Sequence, residues 1–94
     1  MPLPRVRTDF NSTSLGNPWT LEDLARQGIE LHEGMQCVFY DLDAEEGQNG
    51  FLHSEGVVWW DTASGMFRMR SGNLRFTPGD DLAVLDAVYP DISN

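Results

Sequence analysis

Residues 57–77, VVWWDTASGMFRMRSGNLRFT, hold three short runs in which apolar residues recur at every second position, separated by Thr62–Gly65 and by Gly72-Asn73. A period of two marks a strand with one buried face, and a choice of register then assigns every side chain to a face. Closing a hairpin at Thr62–Gly65 sets Trp60 opposite Phe67 and Trp59 opposite Arg68. Reading Gly72-Asn73 as a two-residue loop sets Arg70 opposite Arg75 and Met69 opposite Phe76. One face then collects Val58, Trp60, Phe67, Met69, Leu74 and Phe76, and is read as the core. Its reverse collects Val57, Trp59, Arg68, Arg70 and Arg75. A one-residue slip would exchange the two sets.

Upstream, Met35, Cys37 and Phe39 alternate with Val38 and Tyr40, which predicts a strand ending near Asp41. Residues 43–50 are acidic and contain glycine, and read as a loop. The next strand runs from about Phe51 to Asp61, with Gly56 read as the mark of a bulge. Met35, Cys37 and Phe39 join the core face; Val38, Tyr40 and His53 join the arginine face.

Two helices flank the strands. The first is predicted from Leu21 to Gln27, capped by Thr20, stapled by Trp19 and Leu24, and ended by Gly28. Its buried face is Leu21, Leu24 and Ala25. The second follows Pro78-Gly79, with Asp80 or Asp81 as cap, Leu82, Leu85, Val88 and Tyr89 at helical spacing, and Pro90 as the stop. Residues 1–17 read as an extended or mobile arm whose Val6, Phe10 and Leu15 pack on this chain or on a partner, and 18–94 as a single small globular domain. The expected fold is α+β, mostly β: a small bent antiparallel sheet, or an SH3-like barrel, of four to five strands with a short N-terminal and a short C-terminal helix.

Charge narrows the function. Fifteen carboxylates stand against six arginines and no lysine, a formal net charge of -9. That sign argues against binding a nucleic-acid backbone or anionic lipid. No apolar run reaches about 18 residues, so no membrane span is expected. No basic start leads into an apolar stretch, so no secretory signal is expected and the reading is a cytoplasmic protein. The single cysteine, Cys37, excludes an internal disulfide framework and a cysteine-rich zinc module.

Motifs are sparse. Residues 41–47, DLDAEEG, resemble a calcium loop but carry Glu46 at the glycine position and Leu52 at the final ligand position, so a solvated hairpin loop is favoured. Cys37 reads as a packed thiol, with His53 on the opposite face of the sheet. His32 sits among Glu30 and Glu33 and reads as exposed. Asn11-Ser12-Thr13 matches a glycosylation acceptor by chance. No catalytic residue, cofactor or metal is expected.

What remains is the surface bearing Trp59, Arg68, Arg70, Arg75, Tyr40 and His53. Directly opposed arginines repel, so this face needs carboxylates, a cation–π contact with Trp59 or an anionic partner. Apolar residues on both faces exceed what two short helices cover. The expectation is a non-enzymatic protein-interaction module that self-associates, as a homodimer, through this aromatic and arginine face. The alternative is an acidic regulator or inhibitor that binds a basic partner as a nucleic-acid mimic. A small enzyme or ligand carrier would need a deep pocket lined by His53, Tyr40 and an arginine.

Overall fold

The computed structural model describes residues 3–45 and 48–89. Among these, five strands form one open sheet, mostly antiparallel, and no barrel closes. The strands are β1 (Arg5–Arg7), β2 (Gln36–Glu45), β3 (Gln48–Asp61), β4 (Met66–Ser71) and β5 (Arg75–Pro78). Helix α1 (Pro18–Gln27) follows β1; a turn of 3-10 helix (Leu82–Val84) and the short α2 (Leu85–Val88) end the described chain. The order is β1-β2-β3-β4, with β5 also on β3, and only β1 runs parallel to its neighbour.

The β3–β4 hairpin has the register that its turn signal implies: Trp60 pairs with Phe67, Trp59 with Arg68 and Val57 with Arg70. Gly65 takes a φ of 66°, in the left-handed region that glycine tolerates. Asp61 organises the turn by accepting from the Ala63 amide and the Ser64 hydroxyl.

Gly72-Asn73 does not close a hairpin. Gly56 pairs with Ser71 while His53 pairs with Arg75, so residues 54 and 55 of β3 stand opposite residues 72–74. That is one extra residue, a β-bulge, and β4 and β5 run on in the same direction along one edge of β3. Two facts explain the outcome. Residues 13–15 already occupy the outer edge of β4, through Leu15 N–H to Phe67 O at 3.1 Å and Met69 N–H to Thr13 O at 2.8 Å. And β3 is longer than β4, which leaves its backbone at residues 50–53 to be paired. The predicted Arg70–Arg75 opposition is therefore corrected, although Arg75 still lies on the predicted face, because a bulge and a two-residue loop change the alternation alike.

The predicted bulge at Gly56 is also corrected. Gly56 is regular in both ladders, and glycine is there because a Cβ would lie 2.7 Å from Phe39 Cε2 and collide with the Arg70 carbonyl. The predicted acidic loop is mostly strand: the β2–β3 ladder continues to Glu45 opposite Gln48. Of the calcium-like stretch, residues 46 and 47 lie outside the described residues.

Helix α1 begins earlier than predicted. Asn17 is the cap, its Oδ1 accepting from Thr20 N–H at 2.8 Å, and Pro18 takes the first helical position, where its missing N–H costs nothing. Thr20 turns inward instead and donates to Arg7 O at 2.7 Å. The buried face becomes Thr20, Asp23 and Leu24, while Leu21 is 51% exposed and Ala25 is exposed. Gly28, at φ 70°, ends the helix as expected. Gln27 donates to Arg5 O, so α1 satisfies carbonyls on the open edge of β1.

Both sheet faces are covered, by different ends of the chain. On the first, Cys37, Phe39, Val58 and Met69 pack with Val6, Leu15, Leu24 and Met35. Residues 3–17 dock on this chain, with a turn closed by Ser12 N–H to Asp9 O at 3.0 Å; Val6, Thr8 and Leu15 are buried. On the second, Val38, Tyr40 and Phe51 pack with Leu85 and Tyr89. Asp81 caps this last segment by accepting from Ala83 N–H; the predicted stop at Pro90 lies outside the described residues. Two of the predicted core residues are exposed, Trp60 at 44% and Leu74 at 49%. Trp60 lies past Val57, where pairing with β2 stops, and Leu74 sits in the bulge.

Candidate functional site

The second face divides into two halves. Under the C-terminal segment, His53 is fully buried, its Nδ1 2.7 Å from Tyr89 Oη and its Nε2 2.7 Å from Thr77 Oγ1. Arg75 donates to the same Tyr89 oxygen at 3.0 Å and lies over the Tyr89 ring at 5.1 Å. Burial, and then the Arg75 charge, hold the His53 pKa below its ordinary value. Neutral His53 is satisfied when Tyr89 donates to Nδ1 and Nε2–H donates to Thr77. This network locks the C-terminal segment to the sheet.

The other half is the free end of the β3–β4 hairpin. Arg68 donates to Asp61 Oδ2 and to Thr13 Oγ1, at 2.7 and 2.8 Å. Hydrogen bonds from Ser64 and then Arg68 hold the Asp61 carboxyl below its ordinary range. Arg70 is exposed, and its guanidinium carbon is 5.7 Å from the centroid of the half-buried Trp59 ring. The six predicted site residues thus separate: Trp59 and Arg70 remain a surface pair, Arg68 is neutralised within the chain, and His53 and Arg75 join Tyr89, with Tyr40 in the same core cluster as Tyr89 and paired in register with His53.

The first face of the same hairpin end carries what the sequence reading missed. Trp60 meets Phe67 edge-to-face at 4.9 Å, and the Trp60 amide donates to Glu33. Phe67 also lines a groove of about 460 Å³ with Leu21, Leu24, Ala25, Ile29 and Leu31, and with Glu30 as its one charged residue. The signal for Trp60 lay in counting strand lengths: β2 has no residue to set beside it.

Tyr40 lines a cleft of about 770 Å³ between β1, α1 and the C-terminal segment, together with Arg5, Arg7 and Arg26. Burial, then the Asp23 carboxylate, push the Tyr40 phenol above its ordinary pKa, against the opposing effect of the arginines. His53 does not line this cleft. The Arg5-Val6-Arg7 alternation was the available signal, a short strand with two cations on one side.

Cys37 is buried on the first face, where desolvation pushes its thiol up to about 12. Among the described residues, no three His, Cys, Asp or Glu are grouped to hold a metal ion, and no helix is long and apolar enough to cross a membrane. Comparison with protein-family models, with characterised proteins and with solved structures finds no match for this chain.

Proposed function

We propose that the chain is a non-enzymatic protein-interaction module that pairs with a second copy of itself through the free end of the β3–β4 hairpin, in the cytoplasm. The observation that carries this reading is the exposure of Trp60 beside Phe67 and the Leu21 groove, an apolar strip continuous from sheet to helix. Trp59 and Arg70 supply the aromatic and arginine pair on the reverse of the same hairpin. Large aromatics and arginine are the residues that dominate interface energies.

A second copy is the favoured occupant because of charge. At this end Arg68 is paired with Asp61 and Glu33 with the Trp60 amide, while Glu30 lines the groove and Arg70 lies over the Trp59 ring. Elsewhere a chain of net charge -9 repels its copy. An isologous contact sets one apolar strip against another and keeps the acidic surfaces apart. The buried thiol of Cys37, with His53 on the other face, supports a non-catalytic reading.

Light scattering across a concentration series tests this. A dimer is expected that persists at 0.5 M salt, because apolar contact is not screened. Trp60→Ala and Trp59→Ala are expected to shift it towards monomer without unfolding the chain. A monomer at every concentration overturns the reading. Salt-sensitive capture of a basic protein by that monomer would favour the acidic-regulator alternative.

A further inference from the structure

The cleft beside β1 is a second place, independent of the hairpin end, where the chain presents a built surface. We propose that it binds an amphipathic monoanion: one carboxylate held by Arg7, and an apolar body laid against Leu42 and Leu82 above the edges of Tyr40 and Phe51. At about 770 Å³ the cleft is of the size that holds small ligands.

The charge pairing singles out Arg7. Three arginines and three aspartates line the cleft. Asp23 accepts from Arg26 at 2.7 Å and from Gln27 at 2.9 Å. Asp86 is paired with Arg5, and Asp80 accepts from Asn49 at 3.2 Å. Each carboxylate therefore has a partner within the chain. Arg7 has no carboxylate partner among the described residues, and its Nε is enclosed without a hydrogen-bond acceptor. It is nevertheless held in place, its guanidinium stacked 5.2 Å from the Trp19 centroid and its backbone fixed in the β1–β2 ladder. A positioned guanidinium lacking an anion is suited to accept one.

The same pairing sets the charge of the ligand. Asp23, Asp80 and Asp86 stand around the site, and the whole chain is acidic, so a second negative charge is repelled. The apolar lining sets its shape. Tyr40 and Phe51, which meet edge-to-face at 6.2 Å, are nearly buried and form the floor, and Leu42, 55% exposed, and Leu82 line the cleft beside them.

The test uses the full chain and three ligands with one tail: octanoate, octanol and octyl phosphate, titrated by calorimetry at pH 7. Octanoate is expected to bind at least tenfold more tightly than either of the others. Arg7→Gln is expected to weaken octanoate about tenfold or more, the loss of a charged hydrogen-bonded contact, and to leave octanol unchanged. Arg7→Gln also removes packing on Trp19, so Leu42→Asp is the second variant. It changes an exposed residue and sets a carboxylate at the cleft; octanoate is expected to weaken severalfold. No octanoate binding at millimolar concentration overturns the proposal. So does equal affinity for octanol, tighter binding of octyl phosphate, or a folded Leu42→Asp chain that binds octanoate as the wild type does. None of these outcomes bears on dimerisation through the hairpin.

Discussion

Tyr89→Phe isolates one hydroxyl group. The phenyl ring stays, so the edge-to-face contact with His53 at 5.3 Å and the packing against Leu85 persist. Two hydrogen bonds go. The one from Arg75 costs little, because Arg75 is exposed and water replaces the partner. The other leaves His53 Nδ1 unsatisfied in a fully buried ring. An orphaned buried acceptor costs about 1–3 kcal/mol, so we expect a loss of about 2 kcal/mol. For a domain of this length each kcal/mol moves Tm by about 4–8 °C, so Tm should fall by roughly 8–16 °C. Urea unfolding followed by tryptophan emission measures the free energy, and a calorimetric scan measures Tm. A loss below about 0.5 kcal/mol would refute the claim that the imidazole depends on this hydroxyl.

The depressed pKa of His53 gives a pH dependence. The unfolded chain binds the proton first, so this contribution is complete above about pH 6.5 and is lost as pH falls towards the folded pKa. Arg75→Gln should flatten that loss in a series of urea titrations from pH 7.5 to 5. Gly56→Ala should destabilise by about 1–2 kcal/mol, because overpacking against the Arg70 carbonyl and the Phe39 ring outweighs the entropy gained. Gly72→Ala is its control, since a Cβ there meets nothing nearer than 3.5 Å, and should stay within about 0.5 kcal/mol of wild type. Cys37, with its thiol near 12, should resist iodoacetamide at pH 8 until urea unfolds the chain; fast alkylation of the native protein would contradict its burial.

The strand pattern was legible where a local signal sufficed. Thr62–Gly65 and the period of two place Trp59 and Trp60 on opposite faces, as the ladder does. Competition between distant segments was not legible. Gly72-Asn73 carries a hairpin signal, yet residues 13–15 already held the edge that such a hairpin needs. Leu21 and Leu24 have the spacing of a buried stripe, but Asn17-Pro18 set the helix start, and α1 turned Thr20 and Asp23 towards β1. The C-terminal segment was predicted as a helix, and its docking site was not, because the His53–Tyr89 contact joins residues 36 positions apart. That docking divided the predicted arginine face: Arg75 joined Tyr89 and His53, and Trp59 and Arg70 remained as a separate pair. Face assignment is a local property of alternation; exposure depends on what the rest of the chain leaves uncovered.

The three indole N–H resonances report directly on the proposed interface. In a dilution series of the labelled protein, the signals of Trp59 and Trp60 should move together with concentration while that of Trp19, beneath Arg7, stays fixed. Three indole signals that hold their positions from micromolar to millimolar protein would contradict self-association through the hairpin end.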